Sequence, residues 1–91
     1  MDKRVQITIT GRVQGVFFRH YTEKKAIELG LVGYVMNQRN GTVFVDVQGD
    51  TESLKTMTDW CHEGSPISHV EEVTTETAEL DVHFNRFEIK R

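Results

Sequence analysis

The stretch Ile9-Thr10-Gly11-Arg12-Val13-Gln14-Gly15-Val16-Phe17-Phe18-Arg19 holds residue types suited to gripping an anion. It lies between an alternating, strand-like pattern and a helical one. Backbone N–H groups in such a loop, and at the start of the helix after it, can converge on one spot. Gly15 allows a positive φ and a close approach of the main chain to a ligand. Arg19 ends the loop with a planar fork of donors matched to phosphate or carboxylate. The stretch reads as a phosphate cradle. Its spacing alone is not specific, because a Gly-x-x-x-Gly loop before a helix is more often a turn. An arginine at a helix start is likewise more often a solvated charge.

Other reactive side chains offer little. His20 adjoins Arg19, but a helical neighbour should turn its ring away from the arginine. It reads as a surface histidine near the mouth of the site. His62, His69 and His83 have no partner at metal-ligand spacing, and neither Cys-x-x-Cys nor His-x-x-x-His occurs. Cys61 lies on an apolar stripe and reads as a small core residue. Asp46 and Asp50 are separated by strand and turn and do not suggest a carboxylate pair. Glu71, Glu72 and the acidic residues from Glu76 to Asp81 read as solvated.

The chain as a whole sets the bounds. Ninety-one residues suffice for one domain, 1–91, with one core. Hydrophobic content of 37% with 27% charged residues argues for a soluble globular protein and against disorder. The formal net charge is −3, so nothing global draws the chain to nucleic acid or to anionic lipid. An anionic ligand therefore needs a local positive site. One cysteine excludes an internal disulfide and favours a reducing compartment. No apolar run reaches membrane-spanning length, and the start Met1-Asp2-Lys3-Arg4 lacks the apolar segment of a secretory signal. A cytoplasmic protein is expected, with no nucleic-acid or membrane partner.

The elements that must position the cradle follow from periodicity. Val5, Ile7 and Ile9 alternate with Gln6, Thr8 and Thr10, a strand with one buried face that ends at Gly11. The loop's apolar residues Val13, Val16, Phe17 and Phe18 are unusual, and some of them must tuck under it and pin it. A helix over about 19–29 places Phe18, Thr22, Ala26 and Leu29 on one stripe with Ile27 nearby, and Gly30 closes it in a left-handed conformation. Strands over about 31–38 and 41–49 are joined through Asn40-Gly41 as a hairpin. Asp50 caps a second helix, about 51–62, with Leu54, Met57 and Cys61 inward and Trp60 at the margin. Gly64 and Pro66 stop it. A strand follows at about 69–75. Residues 77–85 show the least structure, and Phe87 and Ile89 alternate in a short last strand whose edge is open. The order β-α-β-β-α-β plus a short C-terminal strand specifies an α+β, ferredoxin-like split βαβ sandwich. Its sheet is of antiparallel type, with two helices on one face. The cradle loop and Asn37, late in the second strand, then lie near one end of the sheet.

At these residues the chain resembles the acylphosphatases. One family motif runs aliphatic-x-Gly-x-Val-Gln-Gly-Val-x-Phe-Arg. It is met by Ile9, Gly11, Val13, Gln14, Gly15, Val16, Phe18 and Arg19. The second motif is met by Gly33, Tyr34, Val35, Asn37, Gly41, Val43 and Gly49. The resemblance implies a ferredoxin-like fold and hydrolysis of the carboxyl–phosphate bond of small acyl phosphates, with no metal and no cofactor. It implies that Arg19 and the amides of Gln14, Gly15, Val16, Phe17 and Phe18 bind the phosphoryl group, and that Asn37 holds the attacking water. Inorganic phosphate is then both product and competitive inhibitor, and a monomer is expected.

The chemistry is consistent with those residues. The leaving carboxylate has an acid pKa of roughly 4, so it departs without a general acid. Charge that spreads over the equatorial oxygens is met by a guanidinium and aimed N–H groups. An amide side chain can accept from a water and donate to a neighbour. It is too weak a base to take the proton, and the family picture lets a phosphate oxygen of the substrate accept it. Two other readings share the fold. An RNA-recognition domain reads bases with strand aromatics, whereas here the first strand has none and the third only Phe44. An accessory domain would keep the pocket but act in trans on a partner.

Overall fold

The computed structural model describes residues 2–80 and 82–91, so Asp81 lies outside the described residues. Seven elements follow one another as β1 (Asp2–Arg12), α1 (Phe18–Glu28), β2 (Val32–Asn37), β3 (Val43–Asp50), α2 (Thr51–Glu63), β4 (His69–Ala78) and β5 (Phe87–Lys90). The sheet order is β4-β1-β3-β2-β5. The first three pairings are antiparallel, and β5 joins β2 in parallel. The ferredoxin-like sandwich is thus as expected. The sheet is mixed rather than wholly antiparallel, because the last strand adds to the free edge of β2.

Alternation builds the core. Ile7, Ile9, Val35, Val43, Val45 and Val47 are fully buried on one face and pack with Phe18, Ala26, Leu54, Met57 and Cys61 from the helices. Burying each such aliphatic side chain contributes about 1.5–3 kcal/mol relative to leaving it in water. Trp60 packs at the margin, as expected, with its ring 5.5 Å from that of Phe18. Ile27, placed only near the apolar stripe by its spacing, is exposed.

The caps explain where the helices end. Gly30, at φ 73°, donates to the Ile27 carbonyl, and Leu31 N–H donates to that of Ala26. This pair of bonds, together with a left-handed glycine, is a Schellman ending. At α2 the Asp50 carboxylate accepts from Ser53 N–H at 2.9 Å and from its hydroxyl at 2.8 Å. These bonds, the backbone one first, hold the Asp50 carboxyl below the ordinary carboxylate range.

Two strand limits differ from the sequence reading. β1 does not end at Gly11 but continues to Arg12 through an irregularity in its pairing with β4 between Thr10 and Gly11. At Gly11 the φ is 133°, and a Cβ there would strike the His69 carbonyl. The glycine bends the strand rather than stopping it. β4 runs on to Ala78, because Thr77 and Ala78 pair with Val5 and Arg4 at the other end of β1. Beyond it, Phe84 returns over the sheet face opposite the helices and packs its ring edge against Tyr34. Glu71, Glu72 and Glu76 are exposed, as expected for solvated acids.

Candidate active site

The loop between β1 and α1 is held from below and from both sides. Val13 and Val16 are 1% and 3% exposed, the tucked residues the sequence called for. Phe18 is buried as well, whereas Phe17 is not. The Gln14 side chain donates from Nε2 to the carbonyls of Gln38 at 2.7 Å and Thr42 at 2.9 Å, both in the β2–β3 turn. On the other flank the Ser65 hydroxyl donates to the Val16 carbonyl at 2.7 Å from the turn after α2. Gly15 takes φ 74°, with open space where a Cβ would stand. A loop fixed in this way keeps its N–H groups in place before a ligand arrives.

The loop delivers the chain into α1 at an uncapped end. Phe17 is the N-cap residue, at φ 64°, and its side chain has no oxygen to offer the first-turn N–H groups. No acidic residue stands in the first turn. The first-turn N–H groups thus have no side-chain cap, and no acid in that turn offsets the positive end of the helix dipole.

Arg19 and Asn37 meet at this end of the sheet. A cavity of about 520 Å³ is lined by Gly15, Phe17, Arg19 and Asn37, with His20, Ile89 and Arg91 at its sides and Val13 and Phe18 beneath. Arg19 is half-buried. One of its nitrogens, Nη1, makes a long contact of 3.4 Å to the Lys90 carbonyl at the end of β5. Asn37 ends β2, and its Oδ1 is enclosed with no hydrogen-bond partner. An enclosed acceptor without a donor is costly, so a donor such as a water would be held there; among the described residues Gln48 Oε1 is likewise enclosed without a partner, but Gln48 does not line the cavity.

His20 is exposed, lies on the rim and sets its ring edge-on to Tyr21. Ile89 and Arg91 are lining residues that sequence reasoning did not pick out. Their signal was the alternation of the last strand, which could not be used until β5 was known to lie beside β2. Arg91 adds a second cation to the cavity of a chain whose net charge is negative. Cys61 is fully buried away from this cavity, and burial pushes its thiol up to about 12. Among the described residues, no three His, Cys, Asp or Glu side chains are grouped as a metal site would need.

The acylphosphatase family model matches residues 5–89. The chain belongs to the acylphosphatase family. It is 43% identical over 90 residues to an acylphosphatase of Syntrophobacter fumaroxidans, covering 98% of this chain and 93% of that one. Among solved structures, an acylphosphatase from Coxiella burnetii superposes with a TM-score of 0.93 at 35% identity, covering 98% of this chain and 93% of the other. The Bacillus subtilis acylphosphatase does so with a TM-score of 0.94 at 30% identity, covering both chains in full. Fold and family thus stand as the two sequence motifs implied. No helix among the described residues is long and apolar enough to cross a membrane.

Proposed function

We propose that this acylphosphatase-family enzyme hydrolyses small acyl phosphates by gripping the phosphoryl group with Arg19 and the amides of residues 14–18, while Asn37 aims the attacking water. The observation that carries this reading is the enclosed, unpartnered Asn37 Oδ1 in the same cavity as Arg19. The water donates one hydrogen bond to that oxygen, which leaves a lone pair free to point at phosphorus. Attack forms the new P–O bond as the bond to the acyl oxygen breaks. The electron pair leaves with the carboxylate, and a phosphate oxygen accepts the water's proton. Charge that accumulates on the equatorial oxygens meets the Arg19 guanidinium and the N–H groups at the start of α1. No protein base or acid takes part in this route, and neither does a cofactor. A cytoplasmic setting and a monomer fit the lone cysteine and a site drawn from one chain.

Steady-state hydrolysis of acetyl and benzoyl phosphate in EDTA tests the reading, with ordinary phosphate esters as controls. Acyl phosphates should turn over, esters should not, and phosphate should inhibit competitively. Arg19→Lys should lose about 10²–10³-fold in kcat, because a point charge does not replace an oriented fork. Asn37→Ala should lose turnover by a similar factor while its phosphate inhibition constant holds. Full kcat in Asn37→Ala would remove it from the water-orienting role, and loss of turnover in EDTA would end the metal-free route.

A further inference from the structure

We propose that Tyr34 and Lys90 are positioning residues for Arg19: the Tyr34 ring holds the Lys90 ammonium on the far face of the sheet, and so fixes the main-chain carbonyl on which the Arg19 guanidinium rests. The inference rests on the phosphoryl reading above and concerns what aims its cation. Among the described residues Arg19 has one hydrogen-bond partner, the Lys90 carbonyl, 3.4 Å from Nη1. A guanidinium carries five N–H donors in a rigid fork, so one anchored nitrogen leaves the others for a ligand. The direction of the fork then depends on where the end of β5 stands.

That end needs an anchor. β5 has four residues, lies at the edge of the sheet and pairs only with β2. A short edge strand opens locally at little cost unless side chains hold it. Alternation turns successive side chains to opposite faces. Ile89 and Arg91 line the cavity. Lys90, between them, reaches the other face, where its Nζ stands 4.1 Å from the centroid of the Tyr34 ring. The strand pairing places Lys90 beside Met36 and Glu88 beside Tyr34, so the lysine reaches back across the pair to the ring.

The ring is itself held in place. Its centroid lies 6.1 Å from that of Phe44 and 6.1 Å from that of Phe84, so it cannot swing away from the ammonium without losing both contacts. Tyr34 is also a motif residue that the reaction leaves without a task. It stands three positions before Asn37 but does not line the cavity. Its side chain lies on the side of the sheet away from the helices. A cation over a ring is attracted by the negative π face, and that attraction gives an aromatic at position 34 something to do. The line of contacts runs from the ring to the ammonium, along the Lys90 main chain to its carbonyl, and from there to the Arg19 fork.

The test compares variants that break the contact from either side. Lys90→Met keeps the stem and removes the charge, whereas Tyr34→Leu keeps the charge and removes the ring. Each should lower kcat/KM for benzoyl phosphate and raise the phosphate inhibition constant about two- to fivefold, the range set by the strength of an exposed contact of this kind. The double variant should be no worse than either single one. Lys90→Arg and Tyr34→Phe keep a cation over a π face and should stay within about 1.5-fold. In an Arg19→Ala background, Lys90→Met should leave the phosphate dissociation constant, read by NMR titration, unchanged. All constants are taken at a temperature where melts show each variant folded. Should Tyr34→Leu not fold, Lys90→Met set against Lys90→Arg carries the test. A loss in Lys90→Met with none in Tyr34→Leu would be charge acting at a distance and overturns the proposal. So do losses that multiply in the double variant, a loss that persists without Arg19, or equal constants in Lys90→Met and Lys90→Arg. Each of these leaves the phosphoryl reading standing. If the unsubstituted chain hydrolyses no acyl phosphate, that reading has failed, and the positioning role fails with it.

Discussion

Asp46 carries its carboxylate on the sheet face opposite the helices, with a side chain only 1% exposed. Arg4 grips it with a two-pronged contact, Nε to Oδ1 at 2.8 Å and Nη2 to Oδ2 at 2.7 Å. Gln6 adds a third bond from Nε2 at 3.2 Å. Burial works against the charged form and pushes the pKa up. The bonds from Arg4 and Gln6, with the charges of Arg4 and Lys90, outweigh it and hold the carboxyl below its usual range. The same charge helps raise the Tyr34 hydroxyl, after burial itself. The folded pKa lies below the unfolded value, so the pair's stabilisation is complete above about pH 3.9 and is lost as pH falls through the lower folded value. Asp46→Ala should cost about 1.5–3 kcal/mol at pH 7, since it removes a two-pronged, charge-assisted contact to Arg4 that is largely shielded from water. It should also flatten the acid side of the stability curve. Thermal melts between pH 7 and pH 3 check both effects, and an unchanged melting temperature at pH 7 would mean the pair contributes nothing net. Sequence could not place this pair: Arg4 and Asp46 are 42 residues apart and meet only because β1 and β3 are neighbours.

At the scale of elements, the β1–α1 loop is held by tethers that come from distant parts of the chain. Ser65→Ala removes the only side-chain donor to the buried Val16 carbonyl among the described residues. It should destabilise the fold by about 1–3 kcal/mol and raise the phosphate inhibition constant severalfold, because the loop amides lose their fixed aim. Melts and inhibition kinetics on one preparation separate the two effects. A stability loss with an unaltered inhibition constant would mean that Val13 and Val16 hold the loop unaided. What was legible beforehand follows the range of the forces. Period-two burial in β1 and β3, the Gly30 ending and the Asp50 cap all depend on residues a few positions apart. The cradle stretch and Asn37 were legible as two motifs. The tethers were not, since Gln14 reaches 24 and 28 residues along the chain and Ser65 reaches 49. Ile89 and Arg91 stayed hidden for the same reason. A four-residue strand at the end of the chain carries no local sign of which edge it will join.

At the scale of the whole molecule, the site is a product of the entire fold, because its lining comes from the β1–α1 loop, the start of α1, the end of β2 and the β5 region. Phosphate bound there should therefore stabilise the chain globally, and Cys61 offers a way to measure that. Its thiol is fully enclosed on α2, away from the cavity, and burial raises its pKa to about 12. At pH 8 the native thiol is thus both inaccessible and almost wholly protonated, so a thiol reagent should label it only after the core opens. A ligand that binds only the folded state lowers the open population by a factor of 1 + [L]/Kd. With phosphate at about 100 times its dissociation constant, labelling should slow about 100-fold if opening α2 also dismantles the site. Labelling that ignores phosphate would show that α2 detaches locally while the β1–α1 loop, Asn37 and β5 stay assembled. The Ser65 tether argues against that outcome: the turn it occupies follows α2 directly, so lifting the helix pulls on the Val16 carbonyl and on the loop proposed to bind the phosphoryl group.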